Sequence, residues 1–219
     1  MEFEIADGHS YATLEVTMDA GDRLGIDPGS MVARSETIRS ETNAGEGGLG
    51  GMLKRAVSDE LDVLTTVMEA EEDGSRLVLA PDYLGDVARI DLDGEGVKVQ
   101  SGGLLAWTET VERGTASNEA SNFFSSGELT VLRLGGTGTA FVSAFGAVRE
   151  EEVTEGDPLV VDEDHLLAWS EGLSAKRTKD SSVKSSLLGG EGFVTRLSGE
   201  GRVWLQTRDP MVLYGGGNN

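Results

Sequence analysis

Cysteine is absent from the 219 residues, which excludes a disulfide framework, a thiolate nucleophile and a zinc centre of the sulfur type. Lysine is scarce: of 18 cations only Lys54, Lys98, Lys176, Lys179 and Lys184 are lysines, and the rest are arginines. Two histidines, His9 and His165, are too few for a cupin-type metal centre, which needs two or three in strand register. No G-x-S-x-G elbow is present to seat a serine nucleophile, and the carboxylates are too numerous for their spacing to single out a glycosidase pair. Accordingly no catalytic residue, cofactor or metal ligand is expected, and the chain is not expected to be an enzyme. There is also no apolar run near the roughly 20 residues of a transmembrane helix. The opening MEFEIADGHS carries acids where a signal peptide needs cations. The expected location is cytoplasmic.

What the chain has in excess is negative charge. Against those 18 cations stand 39 Asp and Glu, a formal net charge of −21, with a pI near 4.3. Such self-repulsion disfavours a compact state in dilute buffer, but at molar salt the Debye length falls to about 3 Å and the repulsion is screened. A halophilic source accounts for this composition most simply. A phosphate-backbone partner is disfavoured, because binding one requires a basic face. With 38% apolar residues and 31 aperiodic glycines, the composition is that of a globular chain.

One word recurs. LLAWTE, Leu104 to Glu109, and LLAWSE, Leu166 to Glu171, lie 62 residues apart. Moreover GDRLGIDPGSMVARSE, Gly21 to Glu36, matches GDPLVVDEDHLLAWSE, Gly156 to Glu171, at seven of 16 positions without a gap. Ala33, Ala106 and Ala168 thus each precede an Arg or Trp, a Ser or Thr, and a Glu. A second pattern follows: ELTVLRLGGTGTAFVS from Glu128 and EGFVTRLSGEGRVWLQ from Glu191 share an Arg-Leu pair and a G-x-G, with ELDVLTTVMEAEEDGSRLVLA from Glu60 as the first copy. Internal repetition of this kind means units that bury their apolar faces on one another. Within a unit the apolar period is two, as in Leu14, Val16 and Met18, which gives half-buried antiparallel strands. Asp27-Pro28-Gly29, Asp73-Gly74, Gly94-Glu95-Gly96 and Gly199-Glu200-Gly201 supply turn chemistry. The expectation is an all-β chain over residues 1–213, made of three tandem repeats (about 1–80, 81–148 and 149–213) in a pseudo-threefold arrangement, each closing on a hairpin, with 214–219 a disordered tail.

Several residues are candidates for contact. Trp107 and Trp169 form either a ligand platform or, the reading preferred, part of a doubly covered strand. Arg34 holds their place in the first copy and points to the rim of the core. His165 stands where the other copies have Ser30 and Gly103, which marks a turn position. Gly45, Gly47 and Gly50 satisfy G-x-G-x-x-G, but no strand leads into them, so a dinucleotide site is not expected. The segment 44–57 reads instead as a glycine hinge followed by an amphipathic piece, with Met52 and Leu53 on one side and Lys54 and Arg55 on the other. Such a piece suits a neighbouring subunit, a membrane surface or its own sheet. SAKRTKDSSVKSSLLGG, read as a Ser-rich loop, gathers Lys176, Arg177, Lys179 and Lys184, either for an anionic partner or for nearby acids.

The triplicated pattern, with GGLGGMLKR, LAPDYLGDV, GGLLAW, RLGGTGTAFVSAFGAV and GEGFVTRLSGEGRVWLQTR, resembles the family of altered inheritance of mitochondria protein 24 from Phe3 to about Arg208. The resemblance implies a fold akin to the tryptophan RNA-binding attenuation protein, a short double-stranded β-helix, assembled into oligomers. It brings no catalytic residues, and its eukaryotic members' targeting region has no counterpart here. The function expected is a non-enzymatic scaffold or binding protein that self-associates, with a peripheral membrane or protein partner. The alternative is a binder of a small molecule, lipid headgroup or RNA in a cleft between repeats.

Overall fold

The computed structural model describes residues 1–8, 10–43, 65–115, 131–179 and 193–210. The chain is nearly all-β, as the period-two patterning requires. Its first strands are β1 (Glu2–Ala6), β2 (Thr13–Met18), β3 (Arg23–Ile26), β4 (Met31–Arg34), β5 (Ile38–Asn43), β6 (Thr65–Ala70) and β7 (Ser75–Leu79). Next come β8 (Val87–Asp93), β9 (Val97–Gln100), β10 (Leu104–Thr108), β11 (Val111–Thr115) and the long β12 (Val131–Ser143). The last are β13 (Val148–Val153), β14 (Leu159–Asp162), β15 (Leu166–Ser170), β16 (Ser174–Lys179), β17 (Phe193–Ser198) and β18 (Gly201–Gln206).

One pairing scheme occurs in three successive segments. In the first, β7 lies between β2 and β4 while β6 lies between β3 and β5. In the third, β18 lies between β13 and β15 while β17 lies between β14 and β16. The middle segment uses the single strand β12 for both roles: its C-terminal half takes β8 and β10, its N-terminal half β9 and β11. Every ladder is antiparallel. Two further ladders join the segments, β10 with β3 and β15 with β9. An approximate threefold arrangement would also join β4 to β14, and among the described residues no ladder does so.

The structure corrects the expected hairpins. β6 does not pair with β7, nor β17 with β18; the chain instead turns a corner and passes from one sheet to the next. β12 makes the same passage without a break, bent at Gly136 (φ 79°) and Gly138 (φ 145°), backbone that a side chain rarely adopts. Space demands glycine there as well. A Cβ on Gly138 would stand 2.4 Å from Thr108 Oγ1, and one on Gly201 would stand 2.8 Å from Ser170 Cβ. The recurring Ser or Thr is therefore seated on the recurring G-x-G. Its hydroxyl accepts the next strand's N–H each time: Arg76 N to Ser35 Oγ at 2.9 Å, Thr139 N to Thr108 Oγ1 at 3.0 Å, and Arg202 N to Ser170 Oγ at 2.9 Å.

The cores follow the same succession. The first, around Leu14, Met18, Leu24, Leu77 and Leu79, also takes in Val87, Leu105, Ala106 and Phe141 from the following segment. The second, around Ile90, Val99, Leu134 and Val142, takes in Leu167, Ala168 and Trp204 from the third. The third lies around Val161, Leu166, Trp169 and Val203; among the described residues it has eight buried side chains where each of the others has fifteen. It includes Val131 from the segment before it, and nothing from the first segment.

Candidate functional site

An edge strand offers a row of unsatisfied N–H and C=O groups, and proteins commonly blunt such edges with charge. Six outer strands here do so. β1, β5, β8, β11, β13 and β16 each carry two or more charged residues, most densely Arg149-Glu150-Glu151-Glu152 on β13. β4 and β14 are the two outer strands with a single charged residue each, Arg34 and Asp162.

β4 is held on one side by β7, with Met31↔Leu79, Ala33↔Val78 and Arg34↔Leu77, and has no ladder on its other side among the described residues. All four of its residues are exposed, Met31 to 42% and Val32 to 60%. Its counterparts β10 and β15 have the same Ala, and a register shift at the same step before it, yet they are buried. The difference lies in what covers them: β3 lies beside β10, and β9 beside β15. β14 shows the complementary lack. Among the described residues it pairs with β17 only, and Val160 is 56% exposed.

One ion pair closes each joint, its cation on β3 in the first and on β12 in the second. Arg23 Nη1 reaches Glu109 Oε1 at 2.6 Å across the first joint, and Arg133 Nε reaches Glu171 Oε1 at 2.6 Å across the second. The Arg133 hydrogen bond holds the Glu171 carboxyl below its usual range against the opposing effect of burial, with Lys98 adding to the lowering. At the open edges Glu36, beyond β4, corresponds to those glutamates, and Arg196, on β17 beside β14, corresponds to Arg133 alone. Both are exposed, and neither forms an ion pair with another described residue. Arg34 folds back, its Nη1 donating to the carbonyls of Ser35 and Ile38.

The residues singled out from sequence fall in several places. Trp107 and Trp169 occupy equivalent positions on β10 and β15, 7% and 0% exposed; the Arg113 guanidinium lies 4.4 Å from the Trp107 ring centroid. Lys176 and Arg177 sit on strand β16, so Ser174–Lys179 is not part of a loop. Lys176 is exposed, whereas Arg177 reaches the buried Glu163 carboxylate at 2.8 Å. Lys179 ends β16, and its side chain, like Met52, Leu53, Lys54, Arg55, Lys184, His9 and the tail 214–219, lies outside the described residues. His165 donates its Nδ1–H to the Gln206 carbonyl at 2.7 Å. Sequence reasoning missed Met31, Val32 and Val160. Part of the signal was present, since Met31-Val32 aligns with Leu104-Leu105 and Leu166-Leu167.

Elsewhere the chemistry is sparse. Among the described residues no group of three His, Asp or Glu is placed to hold a metal ion. Burial, reinforced by Asp82 and opposed by Arg113, pushes the Asp27 carboxyl up to about 6. Asp164 is likewise raised by burial, then by Asp209, Asp162 and Glu163. An open groove of about 300 Å³ is lined by Glu150, Glu151, Glu152 and Arg202, with Arg202 paired to Glu150. No helix among the described residues is long and apolar enough to cross a membrane.

Known proteins share this arrangement. A family model described as Mitochondrial biogenesis AIM24 matches residues 3–208. The chain is 25% identical over 215 residues to the uncharacterised protein M6_Spy0233 of Streptococcus pyogenes serotype M6, covering 94% of this chain and 86% of that one. The crystal structure of protein SPYM3_0169 from Streptococcus pyogenes superposes with a TM-score of 0.80 at 23% identity, over 98% of this chain and 96% of that one. The likeness to the crystal structure is one of fold.

Proposed function

As a member of the AIM24 family, the chain is, we propose, a non-enzymatic scaffold whose surface is built for self-association. The observation that carries this is the contrast between edges: six are charged, while the two that correspond to buried positions elsewhere expose Met31, Val32 and Val160. Three tandem copies of one six-strand unit account for the repeated ladders and for the Ser or Thr hydroxyl that accepts a strand N–H at each corner. They stand in series, each passing its second strand to the third strand of the next. An approximate threefold or TRAP-like arrangement belongs to the same proposal, and needs β14 to find a β4. A cytoplasm rich in salt fits the charge of −21.

The second reading, a cleft binder of a small molecule, lipid headgroup or RNA, has less behind it, since the groove on β13 is lined by carboxylates that repel phosphate. Light scattering in molar potassium chloride tests the proposal. Assemblies larger than one chain are expected; a strict monomer at every concentration up to the solubility limit refutes it. Filter binding of mixed RNA at moderate salt is expected to retain nothing, and tight, salt-sensitive retention favours the alternative.

A further inference from the structure

We infer that β14 of one copy pairs antiparallel with β4 of a second copy, a head-to-tail joint that repeats between chains the joint made twice within each chain. This rests on the scaffold reading and names its partner and register. The internal joints set the pattern: Ala106↔Ile26, Trp107↔Gly25 and Thr108↔Leu24 in the first, Ala168↔Val99, Trp169↔Lys98 and Ser170↔Val97 in the second. Carried to the free edges, the same register places Ala33 opposite Val161, Arg34 opposite Val160 and Ser35 opposite Leu159.

Three independent features fit that placement. The first is size. Trp107 lies against Gly25, where an added Cβ would come within 2.3 Å of the indole, whereas Trp169 stands opposite Lys98. The place that Val160 fills is thus glycine in one joint and a side chain in the other, and the flexible Arg34 holds the place of the rings. The second is the core. Leu105 and Leu167 are buried in the cluster of the preceding unit, at 2% and 0% exposure. Their counterpart Val32 is exposed, and among the described residues the third core has no such contribution. The third is charge. Glu109 meets Arg23 on the joint strand itself and Glu171 meets Arg133 on the strand behind it; the proposed joint repeats the second arrangement, with Glu36 of one copy meeting Arg196 of the next.

A joint between unlike surfaces is heterologous: it closes into a ring if the rotation per chain allows, and otherwise extends as a filament. A symmetric contact of β4 with β4, or of β14 with β14, has no internal precedent and would place Arg34 or Val160 in registers that neither internal joint shows. Closure of β14 onto β4 of its own chain is the other rival.

The absence of native cysteine permits a direct test. Arg34→Cys and Val160→Cys chains are prepared separately, and folding is verified by circular dichroism in molar potassium chloride. Mild oxidation is expected to give a covalent dimer when the two are mixed and none from either alone, and a chain carrying both substitutions should give a ladder of multimers. Opposed pairs alternate between hydrogen-bonded and closer non-bonded sites, so Ala33→Cys with Val161→Cys supplies the neighbouring pair. Cross-linking of either single variant with itself, an internally closed monomer, or no product from both pairs overturns the inference. If light scattering still finds oligomers in that case, the scaffold reading stands while this joint falls. Charge exchange gives a second readout: Glu36→Arg or Arg196→Glu alone should weaken assembly about 2- to 5-fold, the range of an exposed ion pair, and the two together should restore it. Equal weakening by the double variant counts against the joint.

Discussion

Gly25 and Trp107 provide the sharpest test of how one unit seats on the next. Alanine at position 25 would put a Cβ 2.3 Å from Cε2, 2.4 Å from Nε1 and 2.6 Å from Cζ2 of Trp107, where ordinary contact begins at 3.4 Å. The ring must therefore retreat by about 1 Å, in a core packed as densely as a crystal. It has little room to do so, being 7% exposed with Arg113 stacked on it. Overpacking of this kind costs about 1–3 kcal/mol, and the lower entropy of the unfolded alanine chain offsets about 0.4–1 kcal/mol of that. Gly25→Ala is thus expected to destabilise by about 1–2 kcal/mol. In a Trp107→Leu background the obstacle is gone, and the same substitution should be neutral or stabilising by a few tenths of a kcal/mol. A double-mutant cycle from urea unfolding at constant molar salt should then return a coupling near 2 kcal/mol. An equal cost of Gly25→Ala in both backgrounds would refute the reasoning.

Other outcomes follow from the same geometry. Thr108→Val removes the acceptor for the Thr139 N–H and should cost about 1–2 kcal/mol; loss below a few tenths in urea unfolding would mean that the corner does not depend on the hydroxyl. Because the folded Asp27 carboxyl sits at about 6, above its ordinary 3.8, the unfolded chain ionises first as pH rises, and native stability falls between those values. Asp27→Asn should therefore gain on the wild type from pH 4 to 6 and hold a constant advantage above that, roughly 1 kcal/mol once discounted for partial exposure; an advantage that grows toward acid would invert the sign. Finally, thermal midpoints should rise with potassium chloride from dilute buffer to molar salt, as the repulsion of a −21 chain is screened. A falling midpoint would remove the halophilic interpretation.

The all-β class was legible in the sequence because apolar alternation is a strong signal. The alignment of Ala33, Ala106 and Ala168 corresponds to one strand position with one register shift at the same step in all three places. What the alignment does not carry is connectivity. A G-x-G between two alternating stretches looks the same whether the strands fold back on each other or diverge into different sheets, and only the Thr108 and Ser170 hydroxyls beneath Gly138 and Gly201 tell the two apart. Lys176 and Arg177 looked like loop residues because serine and charge surround them, yet β17 supplies the ladder that makes them a strand. Exposure of β4 was hidden for another reason. Nothing in Met31-Val32 differs in kind from Leu104-Leu105; the distinction is that β3 lies beside β10 while among the described residues no strand lies beside β4 on that side.

The handover of strands from unit to unit also makes the architecture indifferent to its own length. Duplicating a unit in the interior would consume one acceptor edge and present another of the same kind, leaving the terminal surfaces chemically as they were. Selection could lengthen or shorten such a chain without redesigning its ends, and a ring of fixed circumference could be tiled by fewer long subunits or more short ones.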